Sequence, residues 1–141
     1  MKILTVKQPW AFALAAGWKD IENRSWGTLY RGPVAIHAGR DVDEDFRQIW
    51  PEQQILPPYV LGLPRGAIVA VADLVDVTTD SRSPWAQDGL FHWQFTNPRE
   101  LTPIPFTGAL GLRHLDDDTT TLIEQQLAEV QTRAASIGGG S

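Results

Sequence analysis

The chain contains no cysteine. That excludes a disulfide scaffold, a zinc ribbon, an iron–sulfur centre and a cysteine nucleophile. Its three histidines, His37, His92 and His114, lie too far apart to form a local metal signature, so no metal and no cofactor are expected. Lysine is scarce as well, with only Lys2, Lys7 and Lys19. No apolar run approaches the roughly 18 residues of a membrane-spanning helix. The opening MKILTVKQPW has neither the long apolar stretch nor the small-residue cleavage site of a signal peptide. A cytoplasmic protein with no membrane partner is expected. No internal repeat interrupts the body, and its 141 residues are enough for a single domain with its own core.

The net charge of −5 is unevenly spread. Residues 1–40 carry six basic and two acidic side chains, residues 41–115 five basic and ten acidic, and residues 116–141 one basic and five acidic. An acidic chain is a poor non-specific duplex binder, because that binding depends on many phosphate contacts. A basic first segment can still receive a small polar or anionic ligand. Six tryptophans are present, three of them (Trp10, Trp18, Trp26) within residues 10–26. Such rings fill cores, and they also offer flat faces for bases to stack on.

Local patterns predict the elements. Residues 2–6 (KILTV) read as a strand. Pro9 suits the start of a helix over 10–16, and Gly17 its left-handed C-terminal turn. Residues 20–26 read as extended, with Glu22 and Arg24 on one face and Ile21 and Asn23 on the other. Gly32-Pro33 precedes a buried strand at 34–38. A short helix is expected over 41–50, with acids near its positive end. An irregular loop follows over 51–66, anchored by Leu56, Tyr59 and Leu61. Residues 67–77 give the strongest strand signal, and 78–89 read as a polar loop. Residues 90–96 read as a strand, 97–108 as too proline-rich for a central strand, and 109–115 as the closing strand. Thr121-x-x-Glu124 resembles a capping box ahead of a helix over 122–135, whose apolar stripe falls at 122, 123, 127, 130 and 134. That helix is expected to be a packing or dimer element, and the glycine-rich end a flexible tail. Composition and pattern alone reach a small β-barrel or bent mixed sheet with peripheral helices.

The densest chemistry lies in Gly17–Trp26, GWKDIENRSW. Lys19 and Glu22 straddle a turn and can share a pocket as an acid–base pair. The plain alternative is a surface salt bridge of little worth. Ser83 and Thr107 are loop hydroxyls with no histidine beside them in sequence, so no serine triad is read.

Four segments, LTVKQPWA (4–11), GWKDIENRSW (17–26), YRGPVAIHA (30–38) and FTGALGL (106–112), together resemble the ASCH domain family. Gly-x-Lys-x-x-Glu-x-Arg is that family's hallmark, and the likeness runs from about residue 3 to 114. The resemblance implies an α+β, PUA-like small barrel over residues 1–115 with a cleft lined by this motif. A C-terminal helix over 116–136 would pack on that barrel, with a tail at 137–141. It also implies a ligand of nucleoside or RNA type. Some bacterial members are amidohydrolases that deacylate N4-acetylcytidine and related N4-acylated cytosines, with a pattern resembling Lys-x-x-Thr-x-Arg plus a later glutamate. Lys19 and Arg24 match that pattern, whereas Glu22 stands where the threonine would be. For the later glutamate, the region after residue 77 offers Asp80 and Asp88, and no glutamate before Glu100.

The expected activity is therefore metal-independent removal of acyl groups from N4-acylated cytosine or cytidine. Glu22 would act on water as general base, Lys19 as proton donor or oxyanion partner, and Arg24 in support. Gln8 is expected either to cap the first helix or to contact a base, and Asn23 to bind substrate or tie down backbone. Trp26, Tyr30 and Trp93 are candidates to stack on a pyrimidine or to fill the core. His37 is either a substrate contact or a satisfied core histidine. A binding module for RNA or a modified nucleotide, and a ribonuclease specific for single strands, are the competing expectations for the same cleft.

Overall fold

A computed structural model describes residues 1–50, 60–108 and 110–139. Strand β1 (Lys2–Gln8) sets the frame. Its alternation sends Leu4, Val6 and Gln8 into the main core and Ile3, Thr5 and Lys7 to the opposite face. Helix α1 (Trp10–Ala15) follows. Then come β2 (Ile21–Arg24), β3 (Gly32–Val42), a four-residue helix α2 (Phe46–Ile49) and a 3-10 turn at Val60–Gly62. Strands β4 (Ala67–Thr78), β5 (Phe91–Pro105) and β6 (Leu112–His114) lead into helix α3 (Asp117–Gly139).

The six strands form one sheet in the order β2-β5-β4-β3-β1-β6. β1 runs parallel to β3, and the other pairs are antiparallel. The sheet is open in its pairing but rolled. Ile21 and Trp93 from its β2 end and Leu4 and Val6 from its β1 end sit in one apolar cluster. Three register shifts along the β4–β5 pair supply the bends that rolling needs. This is the α+β, barrel-like architecture expected from the sequence.

Several elements differ from expectation for identifiable reasons. β5 runs straight through Pro98, Pro103 and Pro105. β2 pairs only with Phe91–Gln94, so beyond that point β5 is an edge strand, where a missing N–H costs little. The helix expected over 41–50 shrinks to Phe46–Ile49 because β3 continues through Asp41 and Val42. α3 starts at Asp117, not at 122. Asp116 caps it, accepting the Thr119 N–H at 2.8 Å, while the Thr121 hydroxyl bonds the Asp117 carbonyl inside the helix. Along the expected stripe, Ile123 is buried and Leu127 packs against the second apolar cluster, but Leu122 and Val130 are exposed. α3 continues through 137–139, which were expected as tail. In the 60s it is Val60, not Leu61, that is buried. Leu56, Tyr59 and Ala109 lie outside the described residues.

Candidate active site

The end of α1 places the first functional side chain. Gly17 adopts φ +79°, and the N–H groups of both Trp18 and Lys19 donate to the Ala13 carbonyl at 3.0 Å. The chain folds back beneath the helix, and the Lys19 side chain enters the interior with only 5% of the residue exposed. Its ammonium donates to the Ile21 carbonyl and, at 3.1 Å, to Glu22 Oε1. Two tryptophan rings flank it, with centroids 5.7 Å (Trp10) and 6.0 Å (Trp85) from Nζ. Such faces favour a cation.

Strand alternation on β2 puts Glu22 and Arg24 on the same face, as expected. Arg24 Nη2 donates to Glu22 Oε2 at 2.9 Å and to the Thr5 carbonyl at 2.7 Å. Each oxygen of the buried Glu22 carboxylate is thus held by its own cation. Burial alone would raise the Glu22 carboxyl, but the Lys19 ammonium and the Arg24 guanidinium outweigh it and hold it below the ordinary range. Burial pushes Lys19 below the usual lysine value, and its contact with Glu22 restores only part of that. Glu22 therefore stays ionised while Lys19 becomes the member whose proton is more easily moved.

These residues open onto a cavity of about 800 Å³, within the size range of small-molecule sites. Lys19, Glu22 and Arg24 line it, together with Asn23, Thr5, His37, Trp10 and Trp85. Phe106 and Gly108 also line it, and the exposed Lys7 and Arg40 are at its rim. Among the described residues no group of histidines and acids could hold a metal ion.

The other expected contacts divide. Asn23 lines the cavity, but its amide is committed to backbone, donating to the Trp85 carbonyl and accepting from the Gln87 N–H, both at 2.9 Å. It thereby fixes the wall that carries Trp85. Gln8 is buried away from the cavity, accepting from the Phe12 N–H and donating to the Pro64 carbonyl. Trp93 is fully buried, donates to the Trp26 carbonyl and meets the Trp26 ring edge-on at 4.7 Å. The Tyr30 hydroxyl donates to the Pro33 carbonyl. None of Gln8, Trp26, Tyr30 and Trp93 lines the cavity.

The aromatic wall comes instead from Trp10 and Trp85, braced by Trp50, which stacks on Trp10 at 5.5 Å and meets Trp85 edge-on at 5.1 Å. Asp43 holds Trp10 by its indole N–H at 2.9 Å. Sequence spacing could not pair residues 75 positions apart; the one signal was the Gln-Pro-Trp start of α1.

An ASCH domain model matches residues 4–105. The chain belongs to the ASCH domain family. That family is linked to RNA binding and to hydrolase-like activity. Among solved structures, the ASCH protein of Zymomonas mobilis shares 14% identity at a TM-score of 0.56, covering 91% of this chain and 93% of that one. Two single-substitution variants of that protein align in the same way. A serine-to-alanine variant gives 14% and 0.57, with 88% and 94% covered. A tyrosine-to-phenylalanine variant gives 13% and 0.56, with 87% and 96% covered. At these identities the likeness establishes the fold. No curated protein matches the chain in sequence. No helix among the described residues is long and apolar enough to cross a membrane.

Proposed function

We propose that this ASCH domain is a metal-independent amidohydrolase that removes acyl groups from N4-acylated cytosine or cytidine. The observation that carries the reading is the buried chain Lys19–Glu22–Arg24 set beside Trp10 and Trp85 in the wall of one cavity. Trp10 and Trp85 line the cavity beside Lys19, so a flat heteroaromatic ring packed against their exposed edges would bring its exocyclic amide towards the ammonium.

Amide cleavage needs an activated nucleophile, a stabilised oxyanion and a protonated leaving nitrogen. Lys19, with its proton loosened by burial, donates to the acyl oxygen as charge develops and protonates the leaving N4. The carbon–N4 bond breaks, the oxygen of water ends on the acyl carbon as the released carboxylic acid, and the proton that water sheds restores the Lys19 ammonium beside Glu22. Glu22 remains the charged partner that orients Lys19, and Arg24 fixes the carboxylate through its second oxygen.

The test is the ultraviolet change on conversion of N4-acetylcytidine to cytidine by the purified protein, beside Lys19→Ala. The reading expects turnover in the wild type and a loss of about 10²–10⁴-fold in the variant, the usual worth of a positioned acid–base group. A folded wild type that leaves N4-acetylcytidine intact overturns it for this substrate. Salt-dependent binding of single-stranded RNA that Lys19→Ala weakens would then assign the cavity to RNA recognition.

A further inference from the structure

Thr5 and His37 are direct cross-strand partners of the parallel β1–β3 pair. Both side chains lie on the sheet face opposite the main core, and both line the cavity. His37 Nε2 lies 2.7 Å from the Phe106 carbonyl, which can only accept, so Nε2 carries the proton. In the neutral ring Nδ1 is then a lone-pair acceptor, and it sits 3.1 Å from Thr5 Oγ1. A hydroxyl, an imidazole acceptor and a carbonyl that fixes the tautomer are thus in line, the arrangement that activates a hydroxyl nucleophile. His37 is 2% exposed, and burial lowers its pKa, an effect the Phe106 hydrogen bond only partly offsets. The ring is therefore neutral at neutral pH.

The surroundings are shaped to this pair. A Cβ on Gly108 would lie 2.4 Å from Thr5 Oγ1 and 2.5 Å from the His37 ring. Only a glycine backbone can pass there. Arg24, already bound to Glu22, also donates to the Thr5 main-chain carbonyl. That contact ties the strand bearing the hydroxyl to the charged chain across the cavity.

We infer that Thr5 is a nucleophile and His37 its base, so that the acyl group passes through a threonine ester before reaching water. This rests on the amidohydrolase reading and specifies its first step. Thr5 Oγ1 forms a bond to the acyl carbon and gives its proton to His37 Nδ1. The carbon–N4 bond breaks, and N4 takes a proton from Lys19, releasing the cytosine amine. Water next adds to the ester carbon, its proton restoring the Lys19 ammonium beside Glu22. The carbon–Oγ1 bond breaks, and His37 returns its proton to Thr5. One amide and one water become one carboxylic acid and one amine, with every group of the protein restored.

The experiment combines N4-acetylcytidine turnover with intact-mass and peptide mapping of the protein after exposure to that substrate and, separately, to p-nitrophenyl acetate. The variants are Thr5→Val, Thr5→Ser and His37→Asn, each checked for folding by circular dichroism. The inference expects an acetyl group on Thr5, absent in Thr5→Val and His37→Asn, and a turnover loss of roughly 10²-fold or more in both. Thr5→Ser, which keeps the hydroxyl, retains turnover and takes the acetyl group at residue 5. A purely structural hydrogen bond would instead lower melting temperature with no acyl adduct. Turnover in the wild type that Thr5→Val preserves overturns the nucleophile and leaves the amidohydrolase standing. Absent turnover with His37-dependent acetylation of Thr5 by p-nitrophenyl acetate supports the dyad and removes the cytosine substrate. Neither turnover nor adduct overturns both.

Discussion

Arg24 and Thr5 lie on strands at the first and fifth positions of the sheet, yet Arg24 Nη2 donates to the Thr5 carbonyl at 2.7 Å. The contact is possible because the sheet rolls and because, among the described residues, the pairing of β6 with β1 covers Lys2–Leu4 and stops short of Thr5. One guanidinium therefore links the charged chain on β2 to the Thr5–His37 pair on β1 and β3. Arg24→Lys keeps the charge but loses the planar Nη2 whose two N–H groups serve both acceptors at once. Hydrogen bonds to charged groups contribute about 1.5–3 kcal/mol each. A stability loss of that order is expected by urea denaturation, together with a fall in kcat larger than any rise in KM. Unchanged stability and unchanged kcat would show that the bridge organises nothing.

The Lys19–Glu22 pair is buried on both sides, with side-chain exposures of 4% and 9%. Removing the carboxylate leaves two cations facing each other without compensation, whereas removing the ammonium leaves Glu22 still paired with Arg24. Glu22→Gln is therefore expected to cost about 3 kcal/mol, in the range for breaking a buried pair, and Lys19→Met less. The double variant should lose less than the sum by about 1–3 kcal/mol, the coupling seen between residues in one network. Guanidinium melts of the three variants measure the cycle, and strict additivity would mean that the pair is not coupled.

Two trends of the same sign follow from the pair in different pH ranges: stability rises with pH through the acid window of Glu22 and again through the alkaline window of Lys19. Glu22 binds its proton less readily folded than unfolded. The stability it contributes is complete above its unfolded value near 4.5 and disappears as pH falls through the lower folded value. Lys19 also has a lowered folded value, so between that value and 10.5 the unfolded chain binds more protons and stability from this group rises with pH. Its burial is a cost at neutral pH, as expected of a lysine kept for proton transfer. Denaturation curves from acid to alkaline pH, compared with Glu22→Gln, should lose the acid-side dependence in the variant alone.

Activity is expected to be bell-shaped. His37 must be neutral to accept the Thr5 proton, and its value lies below 6.5, so the acid limb falls there. Lys19 must be protonated to release the amine, so the alkaline limb falls below 10.5. The kcat/KM profile for N4-acetylcytidine measures both. In Glu22→Gln, where the ammonium loses its carboxylate, the alkaline limb should move to still lower pH. An unmoved limb would separate Lys19 from the titration.

Much of this was legible in the sequence where local rules suffice. The period-two alternation of β2 placed Glu22 and Arg24 together, and Gly17 marked the turn that buries Lys19. The strand nature of residues 67–77 followed from their apolar run. What was hidden depends on register and on distant segments. The Thr5–His37 pair exists only because β1 lies parallel to β3 with those residues opposite, and no local pattern encodes that. Trp85 joins Trp10 through the Asn23 brace, a side-chain choice invisible in spacing. The prolines of β5 read as breakers because their edge position depends on how short β2 is.

Gly108 offers the sharpest separation of stability from chemistry. A Cβ there would stand 2.4 Å from Thr5 Oγ1 and 2.5 Å from two His37 ring atoms. Those are not the ends of flexible side chains, because both residues sit on paired, central stretches of β1 and β3. Relief has to come from moving the hydroxyl, the ring or the backbone after Phe106, and each breaks the line from carbonyl to imidazole to hydroxyl. Gly108→Ala is expected to cost about 1–3 kcal/mol as overpacking. It should also lower turnover by more than the fraction unfolded explains, because a displacement near 1 Å in a reacting constellation can cost about 10²-fold. Gly39→Ala is the comparison: its Cβ would lie 3.1 Å from the Thr5 methyl carbon and does not touch the hydroxyl or the ring. Equal kinetic losses in the two variants, measured on protein shown to be folded, would assign Gly108 to packing alone.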